Sequence, residues 1–321
     1  MTAKEKNVDC RENTTCRKDK KQKKEGKMIA IRTLLCIWIA AFCLLGRASE
    51  AAEGKLTIGI IPEVDIVKQM ERYTPFLRYL GKKIGVEVGV KPLANYGLIY
   101  EELRDGKIDA GFFGSFVYGL TSARIGVEPI ARPARPDGVS IYSGYTFVRK
   151  DSGIKGAGDM KGKTIALVDP ATTAGYLAQK IYFKKHGIDI DKDVKIFWAG
   201  SHDAAAMAVF NKQADMGGAK NHPFNKIAKD NPAFKESMVV VDESLSVPDN
   251  AFAVKKGLDP GIKEKIRSAL AAMDKDAEGS DVLKKFGASK FVETKDTDYK
   301  NLYIMTKEAG IDLKTYPYKK Q

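Results

Sequence analysis

The stretch TIALVDPATTAGYLAQKIYFKKHG, residues 164–187, decides the fold of this chain. It joins an apolar, strand-like run at Thr164–Val168 to a helix-like segment that ends at Gly187, a residue type common at helix C-caps. A helix start exposes about four unpaired N–H groups and roughly half a positive charge. Thr172 and Thr173 add hydroxyl groups beside them. The stretch therefore predicts either an ordinary N-cap or an anion site where a strand meets a helix.

Short β-rich runs alternate with longer amphipathic runs along the rest of the chain, which indicates an α/β fold built from βαβ units with mostly parallel sheets. The predicted strands are Leu56–Ile61, Val86–Pro92, Asp109–Phe113, Tyr145–Arg149, Thr164–Val168, Val194–Trp198, Asp215–Ala219 and Met238–Val241. The predicted helices are Val64–Ile84, Gly97–Arg104, Phe116–Ile125, Ala174–His186, Ala204–Asn211, Pro260–Met273 and Thr297–Ala309.

Three further junctions have the form of the opening one, because in each a predicted strand ends, small or polar residues follow, and a helix begins. They are Leu93–Tyr96, Gly114–Ser115 and Ala199–Asp203. In an open α/β sheet, ligands collect at the carboxyl ends of the strands, where such junctions come together. The four junctions favour a binding protein for a small anion over a set of unrelated helix caps.

The N-terminal residues predict export. Residues 1–27 are rich in Lys and Arg and poor in large apolar side chains, so we expect a disordered basic extension and a true start at Met28. Residues 28–51 have the charged start, apolar run and small residues of a secretory signal peptide, with cleavage after Ala51 or Ala52. The apolar run is too short for a comfortable membrane span. The sequence therefore predicts a periplasmic protein.

The cysteines and charges of the leader separate it from the rest of the chain. All four cysteines lie in it, so the mature chain needs no disulfide, and an anchor at Cys43 is disfavoured because Phe42 stands where a small residue is expected. Residues 1–51 contain 12 basic and 6 acidic residues, which leaves 42 basic against 35 acidic, or net +7, for the other 270 residues. This excess is spread over predicted helix faces and does not indicate a nucleic-acid partner.

Five motifs in fixed order carry a family resemblance. They are Asp105–Gly114, Val148–Ile154, Asp159–Lys163, Asp169–Tyr176 and Gly200–Asp203. In order and spacing they resemble the phosphate, phosphite and phosphonate substrate-binding proteins of ABC transporters, the PhnD group. The resemblance implies a two-lobed periplasmic-binding-protein type II fold, in which each lobe is a mostly parallel sheet flanked by helices and two crossing strands form the hinge.

The loop-like run at Arg132–Gly138 and the strand after it indicate where the two lobes divide. We expect lobe 1 to comprise residues 55–145 and 247–321, and lobe 2 to comprise residues 146–246. The strand Tyr145–Arg149 and the segment Ser246–Asn250 are predicted to be the two crossings. No Pro-rich or Ser-rich linker and no repeat marks the boundary in the mature chain.

The family resemblance implies a set of ligand-binding residues. In that family a loop of the form Asp-Pro-x-Ser-Thr-Ser-Gly holds the phosphonate oxygens, and Asp169–Gly175 is similar to it, with Ala174 in place of the third hydroxyl. The residues implied to contact the ligand are Tyr96, Ser115, Tyr142, Thr172, Thr173 and His202. From the residues alone other interpretations stay open: the tyrosines pack with hydroxyls at the surface, Ser115 is an N-cap, and His202 is a cap or core residue.

The chain departs from the aminophosphonate-binding version of the family. That version is implied to hold the substrate amine with acidic groups near residues 215–224 and near the return crossing, where this chain has Lys220–His222 and Asn250. Asp249 remains an acidic candidate at the crossing. The departure favours phosphate, phosphite or a small alkylphosphonate, among which the sequence makes no ranking.

The predicted function is the periplasmic solute-binding component of an ABC importer, a monomer that delivers its oxyanion to a permease in the inner membrane. The alternatives are a binding protein for another small anion, such as a sulfonate or nitrate, and a sensor that presents its ligand to a receptor kinase. An enzyme is disfavoured, because Ser201, His202 and Asp203 are adjacent in sequence and no nucleophile, phosphate-loop or metal motif is present. We therefore expect no catalytic residue, metal or cofactor.

Overall fold

The computed structural model describes residues 54–317. The predicted basic extension, signal peptide and all four cysteines lie outside the described residues. Within residues 54–317, none of the helices is both long enough and apolar enough to cross a membrane.

The strands of the described region are β1 (Lys55–Ile60), β2 (Glu87–Pro92), β3 (Ala110–Phe113), β4 (Val127–Ala134), β5 (Ile141–Tyr142), β6 (Gly144–Arg149), β7 (Thr164–Leu167), β8 (Lys195–Trp198), β9 (Met216–Lys220), β10 (Met238–Glu243), β11 (Val247–Pro248), β12 (Ala251–Lys255) and β13 (Lys290–Glu293). The α-helices are α1 (Ile66–Ile84), α2 (Leu98–Arg104), α3 (Ser115–Ile125), α4 (Ala178–Lys185), α5 (His202–Phe210), α6 (Asn221–Asp230), α7 (Pro232–Ser237), α8 (Pro260–Ala271), α9 (Ala277–Phe286) and α10 (Lys300–Ala309). A π-helical turn, Thr173–Leu177, precedes α4.

The strands form two main sheets, and helices pack on them. The first sheet has the order β13-β4-β12-β3-β1-β2, and the second has the order β10-β6-β9-β7-β8. In the first sheet β1 runs parallel to β2 and β3, and in the second β7 runs parallel to β8 and β9. The remaining neighbours are antiparallel, so both sheets are mixed. The α/β fold class is confirmed, but the sheets, expected to be mostly parallel, have four parallel and five antiparallel pairings, because β6, β12 and β13 run opposite to the other strands of their sheets.

A short two-stranded ribbon links the sheets. In it β5 pairs antiparallel with β11, and Val247 lies opposite Tyr142. The strand predicted to cross between lobes at Tyr145–Arg149 instead lies inside the second sheet as β6, between β10 and β9. The outgoing crossing is therefore β5. The return crossing falls at β11, inside the predicted segment Ser246–Asn250.

Helix α1 shows how local sequence builds the first sheet's outer layer. The Asp65 side chain accepts hydrogen bonds from the backbone N–H groups of Val67 and Lys68, and Gly85 closes the helix at a φ of 70°. Its buried side chains recur at helical spacing and include Tyr73, Phe76, Leu77, Leu80 and Ile84. They pack in a cluster of aromatic rings with Phe112, Phe252, Phe286 and Phe291. This burial fixes the helix against the sheet and holds the end of β1 in place.

Candidate ligand-binding site

The opening stretch forms a strand, a tight loop and a helix start, as its sequence predicts. Strand β7 ends at Leu167, and the chain turns through residues 168–172 into the π-helical turn. The Val168 N–H donates to the Gly175 carbonyl over 3.0 Å. An added Cβ on Gly175 would lie 2.4 Å from Val168 Cγ2, so only glycine permits this approach.

The helix start differs from the predicted one because its first turn is π-helical. The first intrahelical bond runs from the Leu177 N–H to the Thr172 carbonyl, five residues back, at 3.1 Å. The backbone N–H groups of residues 173–176 precede that bond and point out of the helix start, as at any helix N-terminus. The Thr173–Leu177 turn is buried throughout and has no acidic residue. It supplies a desolvated set of N–H donors of the kind that binds anions.

Asp169 shapes the loop and joins it to the first sheet. Its Oδ1 accepts from the Ala171 N–H at 2.7 Å, and its Oδ2 accepts from the Tyr96 N–H at 3.2 Å. Burial raises the pKa of the Asp169 carboxyl, while these two hydrogen bonds lower it. The side chain therefore serves as an acceptor for backbone groups of both sheets.

The two threonine hydroxyls have different partners. Thr172 Oγ1 donates to the Asp169 carbonyl at 2.8 Å, a contact within the loop. Thr173 Oγ1 instead accepts from the Phe116 N–H at 2.9 Å, across the space between the sheets. Phe116 lies in the first turn of α3, so this hydroxyl oxygen takes a position that an anion's oxygen can take at a helix N-terminus.

Ser115 begins α3 beside that contact. Its hydroxyl donates to the Pro248 carbonyl at 2.7 Å, and the N-cap residue is Gly114, so Ser115 is not the N-cap that the alternative interpretation expects. Ser115 is fully buried. It ties the helix start to the return crossing, and its contact with a ligand stays a prediction.

Tyr96 and Asn250 lie on either side of Gly114. An added Cβ on Gly114 would be 4.0 Å from Tyr96 Cε1 and 3.6 Å from Asn250 Oδ1. The Tyr96 hydroxyl and the Asn250 Nδ2 are buried and have no hydrogen-bond partner in the structure of residues 54–317. Buried donors are normally satisfied, and one left unpaired costs about 1–3 kcal/mol. Two such donors at one place can bond to the acceptor oxygens of a ligand.

His202 begins α5 and faces Tyr96 edge to face, with ring centroids 6.5 Å apart. Its Nδ1 is 3.1 Å from the backbone N of Lys220, whose N–H can only donate. The proton of the neutral ring is therefore on Nε2. Burial and the nearby Lys220 charge hold the pKa of His202 well below its usual value, so the imidazole is neutral and carries one N–H donor.

Tyr142 lies on the outgoing crossing and is buried at the centre of these residues. Burial raises its pKa, whereas the charge of Lys220 and hydrogen bonds with the Thr173 side chain and the Ser115 backbone lower it. Its hydroxyl therefore lies next to both helix starts. The structure thus brings together all six predicted residues, Tyr96, Ser115, Tyr142, Thr172, Thr173 and His202, and their contact with ligand stays a prediction.

The sequence interpretation singled out Lys220, Asp249 and Asn250 but missed that they form one charged cluster with Glu63 beside these residues. Lys220 ends β9 with its side chain buried, and its Nζ is 2.6 Å from Glu63 Oε1, 2.8 Å from Asn250 Oδ1 and 3.3 Å from Asp249 Oδ1. Burial alone would lower the Lys220 pKa. The carboxylates of Glu63 and Asp249 have the larger and opposite effect, so the pKa of Lys220 is raised. Lys220 is the last residue of β9 and Glu63 follows β1, so both lie at strand ends, the same signal that located the other junctions.

The segment Ser201–Asp203 is a helix cap. Ser201 Oγ accepts from the Ala204 N–H at 3.3 Å and donates to Asp203, while the imidazole of His202 bonds to Lys220. Ser201 therefore bonds to Asp203 and not to His202, so the three side chains do not form a proton relay of the serine-hydrolase kind. Trp198, the last residue of β8, lies half-buried against Tyr176, with ring centroids 5.8 Å apart.

Two mixed sheets, joined by a two-stranded ribbon and flanking a set of buried donors, define the class of two-lobed α/β ligand-binding proteins. The sequence profile described as "ABC transporter, phosphonate, periplasmic substrate-binding protein" matches residues 58–299. The chain belongs to this family.

Individual relatives agree with the family. The chain is 27% identical over 276 residues to the phosphonates-binding periplasmic protein of Escherichia coli, covering 84% of this chain and 81% of that protein. It is 27% identical over 239 residues to the phosphate-import protein PhnD of Mycolicibacterium smegmatis, covering 70% and 74%. The PhnD1 structure from Prochlorococcus marinus, in complex with methylphosphonate, has the same fold, with a TM-score of 0.70, 21% identity and coverage of 80% and 98%.

Proposed function

We propose that this chain captures a small phosphorus oxyanion, either phosphate, phosphite or an alkylphosphonate, in the cleft between its two sheets. The observation that carries the proposal is the pair of buried, unpartnered donors, Tyr96 Oη and Asn250 Nδ2, beside two helix starts. The names of the relatives span phosphonates, phosphate and phosphite, which supports this ligand class.

The site is suited to an oxyanion because it offers many oriented donors. The N–H groups of residues 173–176, the Tyr96 hydroxyl and the His202 Nε2–H would replace the water around the anion. Ser115, Tyr142, Thr172 and Thr173 complete the proposed contact set. The donors belong to both sheets, so a ligand that contacts all of them favours the closed arrangement of the lobes over an open one.

We infer that the role is capture and delivery without catalysis, and that the partner is an ABC permease in the inner membrane. The hydrogen bonds of Ser201, His202 and Asp203 support binding alone, since none of them prepares a nucleophile. Export by the predicted signal peptide and the monomeric state belong to the same proposal. So do the lobe bounds of 55–145 with 247–321 and 146–246, except that a division after residue 145 would cut β6, and we place it after β5 instead.

Calorimetry of the purified protein tests the ligand class. We expect at least one of phosphate, phosphite and methylphosphonate to bind more tightly than methanesulfonate or nitrate. Binding of the sulfonate or nitrate, with none of the phosphorus oxyanions bound, would contradict the proposal.

The threonine hydroxyls can be tested by the Thr172→Val, Thr173→Val double variant. We expect it to fold and to lose oxyanion binding by roughly 100-fold or more. The Thr172 hydroxyl, which donates to the Asp169 carbonyl here, would turn to the oxyanion, and a hydrogen bond to a charged group contributes about 1.5–3 kcal/mol. The matched control is Thr121→Val, which removes an equally buried hydroxyl that bonds to the Val117 carbonyl within α3. Unchanged affinity in the double variant would remove both threonines from the site.

A further inference from the structure

The ammonium group of Lys220 is surrounded by a complete set of hydrogen-bond acceptors. Its ammonium has three N–H donors, and Glu63, Asp249 and Asn250 each offer one oxygen, at 2.6, 3.3 and 2.8 Å. The Lys220 side chain is only 3% exposed. Its Nζ also lies 4.3 Å from the centroid of the Tyr142 ring, a cation–π contact. No donor of this ammonium is left for a bound anion.

The acceptors and the ammonium come from different parts of the fold. Glu63 follows β1 of the first sheet, Asp249 and Asn250 follow the return crossing β11, and Tyr142 lies on the outgoing crossing β5. Together these four residues form a cage for a cation. Lys220 enters it from the end of β9 in the second sheet. The four residues that surround the ammonium thus come from other elements than Lys220 itself.

The cage is next to the proposed oxyanion site. Tyr142 contacts Lys220 with its ring, and its hydroxyl bonds with the Thr173 side chain. Asn250 accepts from Lys220 through Oδ1 and keeps its Nδ2 unpartnered. A ligand on the donors of the oxyanion site would therefore extend a substituent on phosphorus toward the cage.

The formal charges of the cage balance only when Lys220 is present. Glu63 and Asp249 contribute two negative charges, and Lys220 and Arg135 contribute two positive ones, with Arg135 Nη1 at 3.3 Å from Asp249 Oδ2. Without Lys220 the cage would carry a net negative charge beside the oxyanion. An anionic ligand would then be repelled unless it carried its own cation.

We propose that Lys220 determines ligand specificity by filling, with the protein's own ammonium group, a cage that would otherwise accept the ammonium group of a zwitterionic phosphonate. The proposal rests on the proposed function and deepens it. The protein selects oxyanions whose substituent is uncharged, because an aminoalkyl group would meet the Lys220 charge and find every acceptor occupied. Lys220 acts on specificity without contacting the phosphorus oxygens.

A pair of ligands that differ by one amine tests this in the wild-type protein. By calorimetry at pH 7.5, we expect ethylphosphonate to bind at least about tenfold more tightly than 2-aminoethylphosphonate, because a like-charge contact in a buried site opposes binding. Equal affinity, or tighter binding of the aminophosphonate, would overturn the proposal.

Two substitutions of Lys220 separate its charge from its volume. Lys220→Ala empties the cage, and we expect the preference to reverse in favour of 2-aminoethylphosphonate. Lys220→Met removes the charge but keeps the cage filled. It should therefore weaken ethylphosphonate binding without strengthening the binding of 2-aminoethylphosphonate. The control, Lys226→Ala, lies in α6 with its lysine side chain 77% exposed and should keep the wild-type preference. A Lys220→Ala protein with the wild-type preference would also overturn the proposal.

A measurement that needs no phosphorus oxyanion distinguishes failure of this proposal from failure of the proposed function. If the wild-type protein binds no phosphorus oxyanion, the function is wrong, but the cage can still be probed with ethylammonium. We expect ethylammonium to raise the melting temperature of Lys220→Ala and not that of the wild-type protein or Lys220→Met. No such difference would show that the cage does not accept a cation. If Lys220→Ala does not fold, the wild-type preference between the two phosphonates decides.

Discussion

His202 shows how the surroundings of one side chain set the chemistry it can offer. The backbone N–H of Lys220 requires an acceptor at Nδ1, and burial with the Lys220 charge opposes protonation of the ring. The sequence placed His202 at a strand end but could not give its tautomer, since Lys220 is distant along the chain and reaches it only through the pairing of the second sheet. The ring is therefore neutral and offers one N–H donor, which suits the binding of an oxyanion.

The lowered pKa of His202 predicts a pH dependence of stability. The unfolded chain takes up a proton on this residue below a pH of about 6.5, whereas the folded protein resists it. The stabilisation is therefore present above that pH and is lost as the pH falls toward the lower, folded-state pKa, by up to about 1.4 kcal/mol per pH unit. Urea unfolding at pH 7.5, 6.5 and 5.5 measures it.

His202→Asn gives the comparison, because its side-chain oxygen can accept the Lys220 N–H and does not titrate in this range. We expect the variant to lose less stability than the wild-type protein between pH 6.5 and 5.5. The control His186→Asn, at an exposed position that ends α4, should follow the wild-type curve. Identical curves for His202→Asn and the wild-type protein would contradict the assignment of a neutral His202.

The elements around the site follow the sequence where local signals are strong and depart from it where tertiary contacts decide. The predicted helix at Ala174–His186 is present, but its first turn is π-helical, and in that turn Gly175 packs directly on Val168. Strand β4 was not predicted, since Pro129 and Pro133 disfavour a strand within a sheet. It nevertheless lies between β13 and β12, and the register shift opposite Pro129 accommodates the ring.

The close approach of Gly175 to Val168 gives a prediction at the scale of this element. Gly175→Ala places a Cβ 2.4 Å from Val168 Cγ2, so we expect a loss of about 1–3 kcal/mol in the free energy of unfolding. Methylphosphonate binding should weaken as well, because the N–H donors of the π-helical turn must shift. The control is Gly158→Ala, whose Cβ would meet nothing within 4 Å and should change stability by less than about 0.5 kcal/mol. Equal stabilities of the two variants would contradict this account of the loop.

Contacts between the two sheets define the conformation of the whole molecule. The Tyr96 N–H donates to Asp169 at 3.2 Å, the Phe116 N–H donates to Thr173 at 2.9 Å, and Lys220 reaches Glu63 at 2.6 Å. All three run across the cleft, so the described conformation is closed. The family resemblance located the loop and its facing residues. It placed Lys220 where the aminophosphonate-binding version has acidic groups, but it did not locate Glu63 or the Glu63–Lys220 pair, because that pair forms only where the two lobes meet.

The most direct test of the central claim is a crystal structure of the protein grown with methylphosphonate. We predict that the phosphonate oxygens lie about 2.7–3.2 Å from backbone nitrogens of residues 173–176, from the Tyr96 hydroxyl and from His202 Nε2, with Lys220 still bound to Glu63. The account is contradicted if the ligand lies outside this cleft, or if its oxygens are held by Lys220 after the contact with Glu63 has broken.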